Sequence, residues 1–240
     1  MRRFAALLAC VLVLLAVVSA ATGAGRRFWH PYYVAMAGAR THETVLREIG
    51  PTRRPTLRSA VTAAGLSYPP SDVTLIGLKE ERVLEVWARA DAGWRRVSRF
   101  PVLAASGGPG PKLREGDLQV PEGVYRVTAF NPNSSYHLSL RVDYPNADDR
   151  AAARADGRTT LGGDIFIHGK AVSIGCLALG DAAIEELYVL LADVGLTKTR
   201  LVLAPSATPK PAADAAPWVA GLYARLAREL LTVRGRDTQP

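Results

Sequence analysis

The chain has 240 residues, 48% hydrophobic and 22% charged, which is enough for one domain of ordinary size with extensions and a sizeable core. Its formal charge is +8, yet the arginines are scattered and no nucleic-acid motif is visible, which argues against nucleic acid as a partner. An acidic wall polymer or a membrane surface suits the charge better, and arginine serving only as a solvated cation suits it equally well.

Arg2 and Arg3 precede an apolar run over 4–18 that ends in Val18-Ser19-Ala20-Ala21, the layout of a secretory signal cleaved after Ala20 or Ala21. The alternative is an uncleaved anchor, since the run approaches the roughly 18 residues of a membrane span. Leu7-Leu8-Ala9-Cys10 looks like a lipoprotein box but sits inside the run, not at its end. The expected destination is the periplasm or cell envelope. Losing 1–21 takes Arg2, Arg3 and Cys10 away, so the charge falls to +6 and Cys176 stands alone. A disulfide within the mature chain is then impossible, and the thiol is either buried and inert or kept for its reactivity.

Residues 22–70 read as a helical leader: one helix over 41–49, a break at Pro51-Thr52-Arg53-Arg54-Pro55, and a second over 56–64 closed by Gly65. From Asp72 the pattern turns to strands over 73–78, 82–88, 94–100, 124–130 and 136–142. The Gly107-Gly108-Pro109-Gly110-Pro111 loop is no phosphate cradle, because its prolines lack amide donors and no helix follows. A short helix is expected over 147–155. Ile165-Phe166-Ile167 is a strand ending at His168, and Asp181 is expected to cap an amphipathic helix over 182–194. A last strand covers 200–203. A linker over 205–217 leads to an amphipathic helix over 218–231 whose apolar face packs on the parent domain. The domains are therefore the signal (1–21), the leader (22–70), a catalytic domain (71–204) and the linker with its helix (205–240).

The chemistry concentrates in Ile167-His168-Gly169-Lys170-Ala171-Val172-Ser173-Ile174-Gly175-Cys176, where a strand delivers a histidine and a glycine-flanked turn delivers a cysteine. An imidazole that takes the thiol proton makes a nucleophile, and the ion pair lowers the thiol pKa from about 8.5. Gly169 and Gly175 let the backbone approach a substrate, and the amides around Gly175 and Cys176 are candidate oxyanion donors. Ser173 braces the loop or orients the histidine; no G-x-S-x-G elbow makes it a nucleophile. A structural cysteine and a satisfied strand-end histidine explain the spacing equally well. His30, His42 and His137 lie outside zinc spacing. His137 and Tyr144 are lesser candidates for substrate contact, with an ordinary sheet-face role for His137 as the alternative.

His168-Gly169 followed by Ser173-Ile174-Gly175-Cys176 resembles the HG…S-x-G-C motif of the YkuD-type L,D-transpeptidase catalytic domain. Gly110-Pro111-Lys112, Glu115-Gly116-Asp117, Pro121-Glu122-Gly123-Val124-Tyr125 and Tyr144-Pro145-Asn146 resemble further elements of that family in order, especially its YafK-like branch, over roughly 72–204. The resemblance implies a mainly β (α+β) fold, a sandwich-like or barrel-like sheet flanked by helical extensions. It also implies attack by Cys176, with His168 as base, on the stem peptide of peptidoglycan, with no cofactor or metal. A wall-linked lipoprotein is a second implied partner. The chain departs from the family in lacking an arginine after Cys176 and in carrying Val120 where threonine is usual. Transfer to an amine, hydrolysis by the same cysteine, and a non-catalytic wall-binding module therefore all stay open.

Overall fold

A computed structural model of the chain describes residues 26–235 together with Phe4, Val11 and Leu14, so the expected signal lies outside the described residues except at those three positions. Among the described residues no helix is long and apolar enough to cross a membrane. The chain divides into two compact units, residues 1–41 and 42–240. The first carries helix α1 (Arg26–Ala37), in which Trp29 meets Tyr33 edge to face with ring centroids 6.2 Å apart. Sequence reading assigned no element to this stretch.

The second unit opens with α2 (His42–Ala63), a single helix where a break at 51–55 was expected. Pro51 and Pro55 each remove an amide donor and crowd the preceding turn, at a cost of about 3 kcal/mol apiece in a helix interior. Tertiary contacts on both sides of the prolines offset that cost. Val45, Leu57 and Val61 are buried, and Arg53 and Arg54 reach Glu185 and Asp193 at 2.7 and 2.8 Å.

Then follow β1 (Val73–Leu78), β2 (Val83–Ala90), β3 (Gly93–Pro101), β4 (Gly123–Tyr125), β5 (Val127–Ser134), β6 (His137–Val142), α3 (Ala147–Ala155), β7 (Phe166–His168), β8 (Leu177–Ala178), α4 (Asp181–Val194), β9 (Thr199–Ala204) and α5 (Pro217–Arg234). Five strands form one mixed sheet in the order β3-β2-β1-β9-β4, and four form a second in the order β5-β6-β7-β8. This is the expected α+β architecture of β layers with flanking helices. The strand expected over 124–130 is split at Arg126, whose amide donates to Asp143 Oδ1 at 2.9 Å. Before the split the chain pairs with β9 in the first sheet, and after it with β6 in the second.

Strands β1 and β9 run parallel, Val73 opposite Thr199, and both are buried on the two faces. Period-two alternation therefore sends Leu75, Leu201 and Leu203 into one core, which they share with Ile184, Leu187 and Tyr188 of α4. Ile76, Val202 and Ala204 go to the other side, where Val219, Tyr223, Leu226 and Leu230 of α5 cover them. The C-terminal helix thus packs on the parent unit as its pattern foretold.

Candidate active site

His168 ends β7 and Cys176 immediately precedes β8. These strands pair in parallel, Ile167 opposite Leu177 and His168 opposite Ala178. Cys176 stands in the bend just before β8, two residues ahead of the strand partner of His168.

The imidazole has its tautomer fixed. Nδ1 lies 2.6 Å from the Gly169 carbonyl, which only accepts, so Nδ1 carries the proton and Nε2 offers its lone pair. The ring is 2% exposed. Among the described residues no hydrogen bond is formed by Nε2. Burial holds the imidazole below its ordinary pKa, opposed by the Gly169 hydrogen bond. At neutral pH the ring is therefore neutral and able to accept a proton.

Cys176 is the free cysteine of the described residues and is half-buried. Its Sγ donates to the Asp164 carbonyl at 3.8 Å rather than to the imidazole. Burial pushes the thiol up, while the Phe166 amide and the Lys112 charge pull it down by less. Both shifts disfavour the charged forms, the opposite of the lowered thiol pKa expected from sequence.

Ser173 organises the turn. Its Oγ accepts the amides of Gly175 and Cys176 at 3.3 and 3.1 Å and donates to the Cys176 carbonyl at 2.7 Å. Both amides named as oxyanion donors are therefore engaged by Ser173 in this conformation. Gly175 has φ +114°, a backbone state that disfavours any side chain, and a Cβ there would come to 3.4 Å from the Gln119 carbonyl. Asp181 is not the N-cap of α4; Gly180 is, and the Asp181 carboxylate receives the Lys170 amide at 2.9 Å and the Lys170 ammonium. The helix start thereby clamps the loop.

Gly169 fills a space with no room for a side chain: a Cβ there would lie 2.6 Å from Asp181 Oδ1 and 2.7 Å from the Tyr136 carbonyl. Gly169→Ala is expected to cost about 1–3 kcal/mol, as overpacking does, and to lower activity by displacing His168. Thermal unfolding and a Cys176 alkylation rate check the two effects separately.

The upstream motifs build loops rather than chemistry. Asp117 accepts the amides of Leu113, Arg114 and Gln119 and the Lys112 ammonium, which together hold its carboxyl below the usual range against the opposing effect of burial. Asn146 caps α3 in a reciprocal box with Asp149, and its Nδ2 donates to the Val124 carbonyl. Tyr144 is buried, and its hydroxyl donates to the Leu161 carbonyl at 3.2 Å. His137 Nε2 sits 2.7 Å from Glu185 Oε1. Neither lesser candidate joins the His168–Cys176 pair.

Sequence reading missed Tyr136, whose ring stacks on His168 with centroids 4.7 Å apart and planes at 28°. No spacing rule reports a contact between a hairpin turn and a neighbouring strand. Val172 and Ile174, in the loop that leads to Cys176, are exposed, and Cys176 itself is half-buried. Cavities of about 660 and 410 Å³ lie instead beside α5, and neither is lined by His168 or Cys176.

Comparison with known proteins adds the following. A family model described as YkuD, L,D-transpeptidase catalytic domain, matches residues 72–202. A curated protein of Escherichia coli (strain K12), "Putative L,D-transpeptidase YafK", is 36% identical over 112 residues, 46% of this chain and 43% of that protein. The match thus spans less than half the length of that relative. Among solved structures, the helical cell shape determining protein Pgp2 from Campylobacter jejuni is similar at 24% identity, covering 56% of this chain and 48% of that one with a TM-score of 0.48. Bdellovibrio bacteriovorus Bd1075 is similar at 21% identity, covering 57% and 49%, with a TM-score of 0.43.

Proposed function

Because this chain belongs to the YkuD family of L,D-transpeptidase catalytic domains, we propose that it is a cysteine acyltransferase of the cell envelope acting on peptidoglycan stem peptides through a Cys176 thioester. The observation that carries the reading is the tautomer of His168. A carbonyl on Nδ1 leaves the Nε2 lone pair to accept a proton, and the strand that His168 ends pairs with the strand that Cys176 leads into.

The steps balance as follows. Cys176 Sγ attacks the carbonyl carbon of the stem's third, diamino-acid residue while its proton passes to Nε2. The tetrahedral intermediate collapses with cleavage of the carbon–nitrogen bond, and the imidazolium returns the proton to the departing amine of D-alanine. An amine or water then attacks the thioester, gives a proton to Nε2, and expels the sulfur, which is reprotonated. The amine gives transfer and water gives hydrolysis; a wall-linked lipoprotein freed by the same thiol falls under the second. The exposed loop that leads to the half-buried thiol, outside the cavities beside α5, suits a polymeric substrate.

Incubation of the full chain with muropeptides carrying tetrapeptide stems is expected to give a Cys176-linked acyl species by intact-mass spectrometry. New 3–3 cross-links mark transfer, and shortened stems mark hydrolysis. A folded protein that never carries the adduct refutes the proposal.

A further inference from the structure

We infer that Tyr136 is a positioning residue, whose ring lies on His168 to hold the imidazole edge toward Cys176 and to keep water off its face. The inference rests on the reading of His168 as the base. Flat stacking at 4.7 Å blocks rotation of the imidazole out of plane, so Nδ1 stays on the Gly169 carbonyl and the direction of Nε2 is fixed. Without that cover the ring would be wetted, and neither its orientation nor its neutral form would be held so firmly.

The turn carrying Tyr136 is fixed at several points. Its amide donates to Ser134 Oγ at 3.1 Å, and Ser134 pairs with His137 to close the β5–β6 hairpin. His137 takes a left-handed backbone, φ +76°, and its ring is held on Glu185, which Arg53 of α2 also grips. The Gly169 amide donates to the Leu138 carbonyl at 3.2 Å, drawing the catalytic loop under the turn. Close approach requires a bare Cα at 169, since a Cβ there would strike the Tyr136 carbonyl. His137 thus has a place in this arrangement without touching substrate. Tyr136 is half-buried and, among the described residues, its hydroxyl makes no hydrogen bond, so its ring and not its oxygen makes the contact.

The other ionisable groups around Gly169 and His168 are the Cys176 thiol, the Lys170–Asp181 pair at the start of α4 and the His137–Glu185–Arg53 set. All but the thiol are paired with one another, so uncovering the ring is the principal electrostatic change when Tyr136 is truncated.

The test uses Tyr136→Ala, Tyr136→Leu and Tyr136→Phe in the full chain, with His168 titrated by NMR and Cys176 alkylated by iodoacetamide across pH. For Tyr136→Ala the acid limb of alkylation is expected to move up toward the ordinary histidine range, lowering the rate at pH 5.5 by up to about tenfold, with a lower plateau as well. Tyr136→Phe is expected to stay within about twofold of the parent, because the ring is kept. Should Tyr136→Ala unfold, Tyr136→Leu, which retains apolar bulk without a flat face, carries the same expectation for the plateau. An unchanged His168 titration and plateau in the truncated variants, or a Phe variant as impaired as Ala, overturns the inference. Both readouts work without peptidoglycan, so a parent protein that forms no acyl adduct defeats the proposed function alone and leaves this result to be judged separately.

Discussion

Cys176→Ala is expected to abolish turnover on stem peptides, a loss of about four orders of magnitude or more, while leaving unfolding stability nearly unchanged. The thiol is half-buried in a loop and donates one long hydrogen bond to the Asp164 carbonyl, so its removal leaves no cavity in the core. A surface change of that kind shifts stability by about 0.5 kcal/mol or less. His168→Gln should lower the rate by about 10²–10⁴-fold, the range supplied by a positioned base. The pH dependence separates a neutral pair from a preformed ion pair. His168 is held below its ordinary 6.5, so the rate should survive acidification through that value and fall only as pH drops through the depressed pKa, when Nε2 takes a proton and no longer accepts one. The thiol is raised above its ordinary 9.0, so free thiolate adds reactivity only on the alkaline side. A plateau of thiolate reactivity extending well into acid, as an ion pair gives, contradicts this reading.

The parts of this site that could be read in the sequence are those carried by residue type and short spacing. His168, Gly169, Ser173, Gly175 and Cys176 lie within one strand and one turn, and the family resemblance adds what spacing leaves open. Ser173 as a loop brace follows from a hydroxyl three residues before the cysteine, and the structure places it there. The directions of the two pKa shifts did not follow, because burial acts on both groups against their charged forms, and burial is a property of the fold. Asp181 as a cap was a sound propensity reading that tertiary contact overrode: Lys170 offers the carboxylate an amide and an ammonium, and Gly180 takes the cap position. The same competition joined two expected helices into α2, where Glu185 and Asp193 of a distant helix hold the residues between the prolines. Strands fared best where both neighbours are apolar, as in β1. Strand β8 was missed because two residues carry no periodicity at all.

Glu122→Ala is expected to be among the most destabilising single changes in the chain, at about 3–5 kcal/mol, with a fall in melting temperature of about 10 °C or more. Its carboxylate is fully enclosed and serves two parts of the fold at once. Oε1 receives Lys79 Nζ at 2.9 Å and the Gly110 amide at 3.0 Å, while Oε2 receives the Tyr223 hydroxyl of α5 at 2.6 Å. Burial pulls the Lys79 pKa down and Glu122 pulls it back, so removing the acid leaves an enclosed ammonium with only the Gly110 and Val120 carbonyls and the Gln119 amide oxygen. Neutral acceptors do not offset the loss of the opposite charge. Tyr223→Phe deletes one hydrogen bond and should cost about 1–2 kcal/mol. In a double-mutant cycle Lys79→Met should recover part of the Glu122→Leu loss, since the charge left behind is gone. The damage should reach the thiol too, because Lys79 holds Gln119 and Val120, and the Gln119 carbonyl lies next to Gly175. Urea unfolding and Cys176 alkylation, measured on the same variants, test both halves. Additive losses in the cycle, or a Glu122→Ala cost below about 1 kcal/mol, would mean that α5 and the catalytic loop are held by apolar packing alone.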